Sequence, residues 1–272
     1  MEPVKVLCIG GSDSSGGAGI QADLKAVTAC GCYGLSVITA VTAQNTHGVQ
    51  YIHPVPSKFI LAQLDSVLGD IGADAVKTGM LSTAGAVESV VRKVNEYNLK
   101  KLVVDPVMIA KGGRSLMQDR AKNVLIKKLL PLAFVLTPNI PEAEALAHCR
   151  IKTLAAMEKA AVIIHKLGAR NVLIKGGHLP GSKQSGAFDI LFDGDRCYQF
   201  FAPWVDSKDT HGTGCTYASV LASAIALGEN IVDAVWQAKG MVTTAIKNGL
   251  ILGNGHGSVN IFGKMVLTKK HG

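Results

Sequence analysis

Short apolar runs rich in β-branched residues alternate along the chain with longer stretches of helical spacing. The runs are VKVLCIG (4–10), LSVITAV (35–41), DAVKTG (74–79), KLVVDPV (101–107), FVLTPN (134–139) and NVLIKGG (171–177). Between them, Ile20, Leu24 and Val27 recur with helical period, as do Ile60, Leu64 and Leu68, and Val87, Val90/Val91 and Val94. Nearly continuous apolar strands separated by helices predict a parallel sheet covered on both faces. FDILFDG and RCYQFFAP, within 188–203, read as antiparallel strands at one edge. From Gly214 to Leu250 the pattern predicts two helices broken at Gly228. No linker or repeat interrupts the pattern, so residues 1–272 read as one α/β domain with a central, mostly parallel β-sheet.

In such sheets chemistry gathers at the carboxyl ends of the strands. Here those ends carry Gly10-Gly11-Ser12-Asp13, Gln44-Asn45-Thr46, Lys77-Thr78-Gly79-Met80, Asp105-Pro106, Thr137-Pro138-Asn139 and Lys175-Gly176-Gly177-His178. Each could be a turn alone. Together they would line one crevice with an amide, carboxylates, lysines and free backbone groups.

Composition narrows the field. The balance of 28 basic and 20 acidic residues gives a net charge of +8, yet the basic residues are spread, with no basic arm and only 5% aromatics. Nucleic acid is therefore not expected as a partner; a small anionic substrate is compatible with the charge. The six cysteines show no C-x-x-C and no metal spacing, which suits a reducing cytoplasm. No Asp, Glu, Lys or Arg lies between Lys25 and Lys58, but glycines, prolines and polar residues interrupt that stretch, which reads as buried sheet with a polar site attached and not as a membrane span. The start of the chain lacks the pattern of a signal peptide, and the tail, LTKKHG, is expected to be mobile.

Two glycine motifs compete. Gly17-Ala18-Gly19-Ile20-Gln21-Ala22 fits G-x-G-x-x-A, but it does not open directly from the strand, and no Asp or Glu occurs from Ala26 to Ser57 where a ribose ligand would stand about 20 positions on. No Walker loop is present. DTHGTGCT (209–216), running into YASVLASAIALG, is the stronger candidate. Its glycines and the helix start after it offer backbone N–H donors and a positive dipole end to an anion.

DTHGTGCT resembles the signature of ribokinase-like small-molecule kinases, a D-T-x-G-A-G-D pattern ending in an aspartate base. Cysteine at that last place typifies the vitamin-kinase branch. GSDSSGGAGIQADLK (11–25), VTAQNTHGV (41–49), KTGML (77–81), DPVMIAKGG (105–113), TPNIPEAE (137–144), IKGGH (174–178) and THGTGCT (210–216) extend the match over nearly the whole chain. The sequence is similar to hydroxymethylpyrimidine/phosphomethylpyrimidine kinases of thiamine biosynthesis, and the resemblance implies the ribokinase-like fold. It implies Mg²⁺ with ATP as phosphoryl donor, a monovalent cation as a further candidate, and two successive transfers, to 4-amino-5-hydroxymethyl-2-methylpyrimidine and then to its monophosphate. It also implies a homodimer.

The roles carried over are these. Gln44 would read the aminopyrimidine edge with an amide that both donates and accepts. Gly11 would allow close backbone approach, Asp23 matches a position close to substrate, and Met80 and Val107 would pack on the ring; both apolar residues serve equally as core. Lys175, Asn139 and Thr210 would hold ATP phosphates. Glu142, and more weakly Asp105, would orient the hydration of the metal; the T-P-N-x-x-E spacing equally makes a capped helix start. Gly212, Thr213, Gly214 and Cys215 would form the anion hole. Cys215, its pKa lowered by the helix end, is expected as a thiolate that takes the alcohol proton, with His211 beside it as a minor alternative base. A pyridoxal kinase, or a dual-specificity one, is the closest alternative, with Gln44 the discriminating position; a non-catalytic vitamin-binding protein would not need Lys175, Glu142 and the anion loop. GNGHGSVN (253–260) departs from relatives, where proline often stands at the place of Ser258.

Overall fold

The computed structural model describes residues 2–108 and 116–263. Residues 109–113 of the DPVMIAKGG motif and the LTKKHG tail lie outside them.

The chain runs β1 (Lys5–Asp13), α1 (Gly19–Ala29), β2 (Tyr33–Asn45), β3 (Gly48–Pro54), α2 (Ser57–Leu68), β4 (Ala75–Thr78), α3 (Ala84–Glu96), β5 (Leu102–Val104), α4 (Asp119–Val124), β6 (Val135–Leu136), α5 (Ile140–Ala147), α6 (Leu154–His165), β7 (Asn171–Ile174), α7 (Ser182–Ser185), β8 (Ala187–Phe192), β9 (Cys197–Ala202), α8 (Thr213–Ala226) and α9 (Ile231–Lys247). Among the described residues the strands form one nine-stranded sheet in the order β3-β2-β1-β4-β5-β6-β7-β8-β9. The run from β2 to β7 is parallel. Antiparallel β3 closes one side and the antiparallel pair β8–β9 the other.

Period-2 alternation divides the strands between two cores. Leu7, Ile9, Val104, Leu136 and Ile174 face a core built with α2, α3, α5 and α6. Val6, Cys8, Val103, Val135 and Leu173 face one built with α1, α8 and α9. Cys8 has no exposure and acts as a small hydrophobe. Gly228 stands just past α8 at φ +100°, where a side chain would be strained, and the helix ends there as its place in the pattern predicts.

One element departs from expectation. The charge-poor stretch after β1 contains a hairpin, with Thr42 opposite Ile52 and Asn45 opposite Gly48. Its outer strand is largely exposed, with Tyr51 at 75%, so the segment is an edge ribbon and not buried sheet throughout. GVQYIHP alternates too weakly to announce a strand, and the pairing with β2 supplies its order.

Lys77, on β4, has no exposure to solvent. Its Nζ donates to both oxygens of Asp23 on α1, at 2.7 and 2.9 Å. Ser219 of α8 donates to Asp23 Oδ1 at 2.8 Å. Burial opposes the charge on Lys77, but the Asp23 carboxylate outweighs it and the lysine stays protonated. Sheet, first helix and anion-loop helix are thereby joined at one buried point. Replacing Lys77 with methionine leaves a buried carboxylate alone and should cost about 3–5 kcal/mol. The double variant Lys77→Met, Asp23→Leu should regain most of that in urea unfolding; a single-variant loss under about 1 kcal/mol would show that the pair joins nothing.

Candidate active site

The parallel strands deliver their carboxyl ends to one side of the sheet, where a crevice of about 740 Å³ opens. Its wall includes Gly11, Asp13, Gln44, Met80 and Val107 from the first half of the chain. Asp105 joins them, and Asn139, Glu142, Lys175, Thr210 and Gly212 to Cys215 line it from the second half. The expected residues from both halves of the chain thus meet in one space.

The floor is made by two glycine loops packed on each other. Gly212, the residue before α8, lies at φ +82°, and a Cβ there would stand 1.8 Å from Gly17 O. A Cβ on Gly17 would stand 2.4 Å from His211 Cδ2. Gly17 of the rejected dinucleotide motif is therefore a contact glycine that seats the anion loop, while Gly19, at φ +55°, closes on Gly11 O of β1. Behind it, His211 N donates to Gly257 O and Val259 N donates to His211 O, at 3.0 and 3.1 Å. Asp209 Oδ1 accepts from Gly257 N at 2.9 Å. Ser258 N donates to Leu250 O at 3.1 Å, a bond that a proline at this position would remove.

At the start of α8, Thr213 is tied back to Thr210 O by its N–H, 3.4 Å away, and by its hydroxyl, 2.7 Å away. Among the described residues, no backbone acceptor takes the N–H of Gly212, Gly214 or Cys215. The anion hole thus has fewer open donors than expected, because Thr213 is already used. Lys175 and Asp105 stand over it: a Cβ on Gly214 would lie 3.6 Å from Lys175 Nζ and 3.7 Å from Asp105 Oδ2. Lys175 donates to Asp105 Oδ1 at 2.8 Å, and Thr137 Oγ1 donates to the same oxygen at 3.1 Å. Burial lowers the Lys175 pKa, but Asp105 and Glu142 raise it further, so it stays a cation.

Asn139 and Glu142 form a reciprocal helix cap. Asn139 Oδ1 accepts from Glu142 N and Glu142 Oε2 accepts from Asn139 N, both at 2.9 Å. Glu142 Oε1 accepts from Met108 N at 3.2 Å. Burial raises the Glu142 pKa, Lys175 opposes this, and Asp105 adds to it. No group of three or more His, Cys, Asp or Glu side chains able to hold a metal occurs among the described residues. A hard divalent cation with its own waters and substrate oxygens fits beside Asp105 Oδ2 and Glu142; an all-protein cage does not.

Asp23 lines the crevice floor with its carboxylate committed to Lys77 and Ser219. It supports the site from below the surface that substrate would touch. Met80 is 9% exposed, and a Cβ on Gly11 would stand 2.4 Å from its Cε, so Gly11 gives its space to Met80 as well as to any ligand. Gln44 sits at a register shift between β2 and β3 that turns its side chain toward the loops. Its backbone is clasped by Ser14, whose Oγ accepts from Gln44 N at 2.9 Å and donates to Gln44 O at 2.8 Å.

Cys215 overturns one expectation. Burial raises its pKa, Lys77 pulls it down, and Asp23 and Asp105 push it up again, leaving it at about 11. The resting group is a thiol and not a thiolate, because desolvation, and after it the two carboxylates, outweigh Lys77 and the Gly19 N–H.

Some of the wall carried no sequence signal. Asp189 Oδ2 accepts from Lys239 Nζ at 2.8 Å and Tyr217 Oη at 3.0 Å, while its Oδ1 accepts from Gly176 N at 2.9 Å. Trp204, Val205, Val242 and Ile246 add apolar surface beside this group. The two acidic and basic partners stand 50 positions apart, and nothing local marks them.

Alkylation of Cys215 by iodoacetamide should be slow at pH 7 and should accelerate until about pH 11, as the thiolate forms. A rate already level by pH 8 would mean that the helix end and Lys77 dominate. Because the folded-state pKa is raised, the thiol's contribution to stability is full at neutral pH and is lost as pH rises toward about 11.

Comparison with known proteins gives concordant matches. The family model described as phosphomethylpyrimidine kinase matches residues 13–260. The hydroxymethylpyrimidine/phosphomethylpyrimidine kinase of Bacillus subtilis is 47% identical over 262 residues, covering 96% of each chain. The thiamine biosynthesis bifunctional protein ThiED of Geobacter sulfurreducens is 52% identical over 94% of this chain, which spans 51% of that longer protein. Among solved structures, an ADP complex of Bacillus subtilis pyridoxal kinase superposes with a TM-score of 0.88 at 37% identity, covering 97% of this chain and 99% of that one.

Proposed function

Because this chain belongs to the phosphomethylpyrimidine kinase family, we propose that it moves the terminal phosphoryl group of ATP to the alcohol of 4-amino-5-hydroxymethyl-2-methylpyrimidine. A second transfer, to the monophosphate so formed, follows in thiamine biosynthesis. The observation that carries this reading is the pairing, in one crevice, of an anion loop under Lys175 with a clasped Gln44.

The residues divide the work. Gln44 reads the amino group and ring nitrogen of the pyrimidine, with Met80 and Val107 against the ring. The N–H groups of Gly212, Gly214 and Cys215, unpaired among the described residues, and the Lys175 ammonium stabilise charge as the phosphoryl group passes. Thr210 and Asn139 border the phosphate path, and Val205, Val242 and Ile246 supply apolar surface for a purine. Mg²⁺, when bound, neutralises phosphate charge; Asp105 and Glu142 would orient its waters. Cys215 takes the alcohol proton through its minor thiolate form, which is scarce at neutral pH but strongly basic. Six unpaired thiols support a reducing cytoplasm, and the exposed Tyr51 and Val41 on the β2–β3 ribbon support a homodimer.

A pyridoxal kinase is the second reading, favoured by the 0.88 TM-score to such an enzyme. Gln44 argues for the pyrimidine, whose edge matches an amide. ADP release with MgATP should proceed on the pyrimidine and continue to a second equivalent. Release on pyridoxal alone would replace the substrate, and silence on both, with ATP still bound, would sink the kinase reading.

The rate should climb with pH from 7 toward 10, tracking the thiolate of a group titrating at about 11. Cys215→Ala should lower kcat by about 10²–10⁴-fold and flatten that climb. A variant with near-normal turnover would remove the base role.

A further inference from the structure

His211 Nε2 lies 2.9 Å from Asp13 Oδ2 and 3.1 Å from Gln44 Nε2. A single ring nitrogen thus faces two groups that ask opposite things of it. Asp13 also accepts from Ser15 N and Ser15 Oγ through Oδ1, and from Ala18 N through Oδ2, each at 2.8 Å. Burial works against its charge, yet these donors and His211 hold its pKa down to about 2. Asp13 is therefore a carboxylate, an acceptor only, and the nitrogen facing it must carry a hydrogen. That nitrogen cannot also accept from an amide NH₂.

The other end of the amide has the matching conflict. Thr42 Oγ1 lies 3.3 Å from Gln44 Oε1 and 2.9 Å from Ser12 O. A hydroxyl has one hydrogen, and the carbonyl of Ser12 is the nearer acceptor. Turning the amide by 180° resolves both ends together, since its oxygen and nitrogen are told apart only by their partners. The oxygen then shares the His211 Nε2–H with Asp13 Oδ2 in a three-centre bond, and the nitrogen donates to Thr42 Oγ1, which still donates to Ser12 O.

We propose that Asp13 and His211 act as a tautomer lock on Gln44, fixing its oxygen on the imidazole and its nitrogen on Thr42. One N–H hydrogen and one oxygen lone pair remain, and they form the donor–acceptor pair shown to the aminopyrimidine edge. A reversed amide would present that pair in the opposite order and mismatch the ring. His211 is thus a specificity-determining positioning residue and not a base. The absent side chain of Gly17 belongs to the same device, since a Cβ there would displace the imidazole. The substrate half of this inference rests on the pyrimidine reading above; the lock itself does not.

Two measurements test it on the full chain. Long-range ¹H–¹⁵N NMR of the labelled protein should show His211 Nε2 protonated across neutral pH, the signal being assigned by its loss in His211→Phe. In Asp13→Asn the new amide can donate to Nε2, and the ring should switch to the Nδ1–H form. A bare Nε2 in the unsubstituted protein overturns the lock. In steady-state kinetics, His211→Phe and Asp13→Asn should each raise KM for the pyrimidine about tenfold, the loss of about one hydrogen bond's discrimination. KM for ATP and kcat should each stay within about threefold. A collapse of kcat with KM unchanged would make His211 a base and overturn the positioning role. If the unsubstituted protein turned over neither the pyrimidine nor pyridoxal, the function reading would fail while the tautomer still decided the lock.

Discussion

A lysine ammonium with no water around it needs a permanent partner, and the arrangement of this protein follows from where that partner is. Lys77 comes from the sheet, Asp23 from the first helix, and Ser219 from the helix that carries the anion loop one turn earlier, at Cys215. Neither charge can leave without stranding the other. The register of α1 and α8 against the sheet is thereby tied to a polar requirement, on a face packed mainly by non-directional apolar contacts, with Tyr217 and Lys239 on Asp189 as a second polar tie. The same requirement sets the electrostatics above it, because Lys77 and Asp23 act on the Cys215 thiol with opposite sign.

The two ends of the crevice are supported differently. At the end under Lys175, backbone N–H groups and a cation paired to Asp105 face the open space. At the other end, Gln44 is clasped through its backbone by Ser14 and through its side chain by the network around His211. The proposed division of labour, phosphoryl chemistry at the start of α8 and substrate discrimination on the β2–β3 ribbon, suits a chain similar to both pyrimidine and pyridoxal kinases.

Local pattern carried the layer order, because strand and helix periods are properties of neighbours in the chain. The polar punctuation at strand ends carried the crevice, since parallel strands must put those ends together. What pattern could not carry was partnership. Lys77 and Asp23 are 54 positions apart, and His211 and Asp13 are 198 apart. The thiolate expected at Cys215 failed first on burial and then on partnership: the helix start is visible in DTHGTGCT, but neither the desolvation of the thiol nor the carboxylates of Asp23 and Asp105 near it are. Asn139 and Glu142 show the reverse case. Their spacing announces a helix cap, and the cap is present with both oxygens of Glu142 engaged, which leaves any dealings with a metal to the ion's own waters.

The stitching of the anion loop to residues 249–260 has a temporal side. His211 is held by Gly257 and Val259, and Asp209 by Gly257, 48 positions further along. During synthesis the sheet through β9 can pair while that later segment is still inside the ribosome. The loop before α8 must then wait, with Gly17 and Gly212 able to approach but nothing behind them to hold the contact. The segment that braces the loop is made after the sheet it serves, so the scaffold can pair before the loop before α8 is held in place.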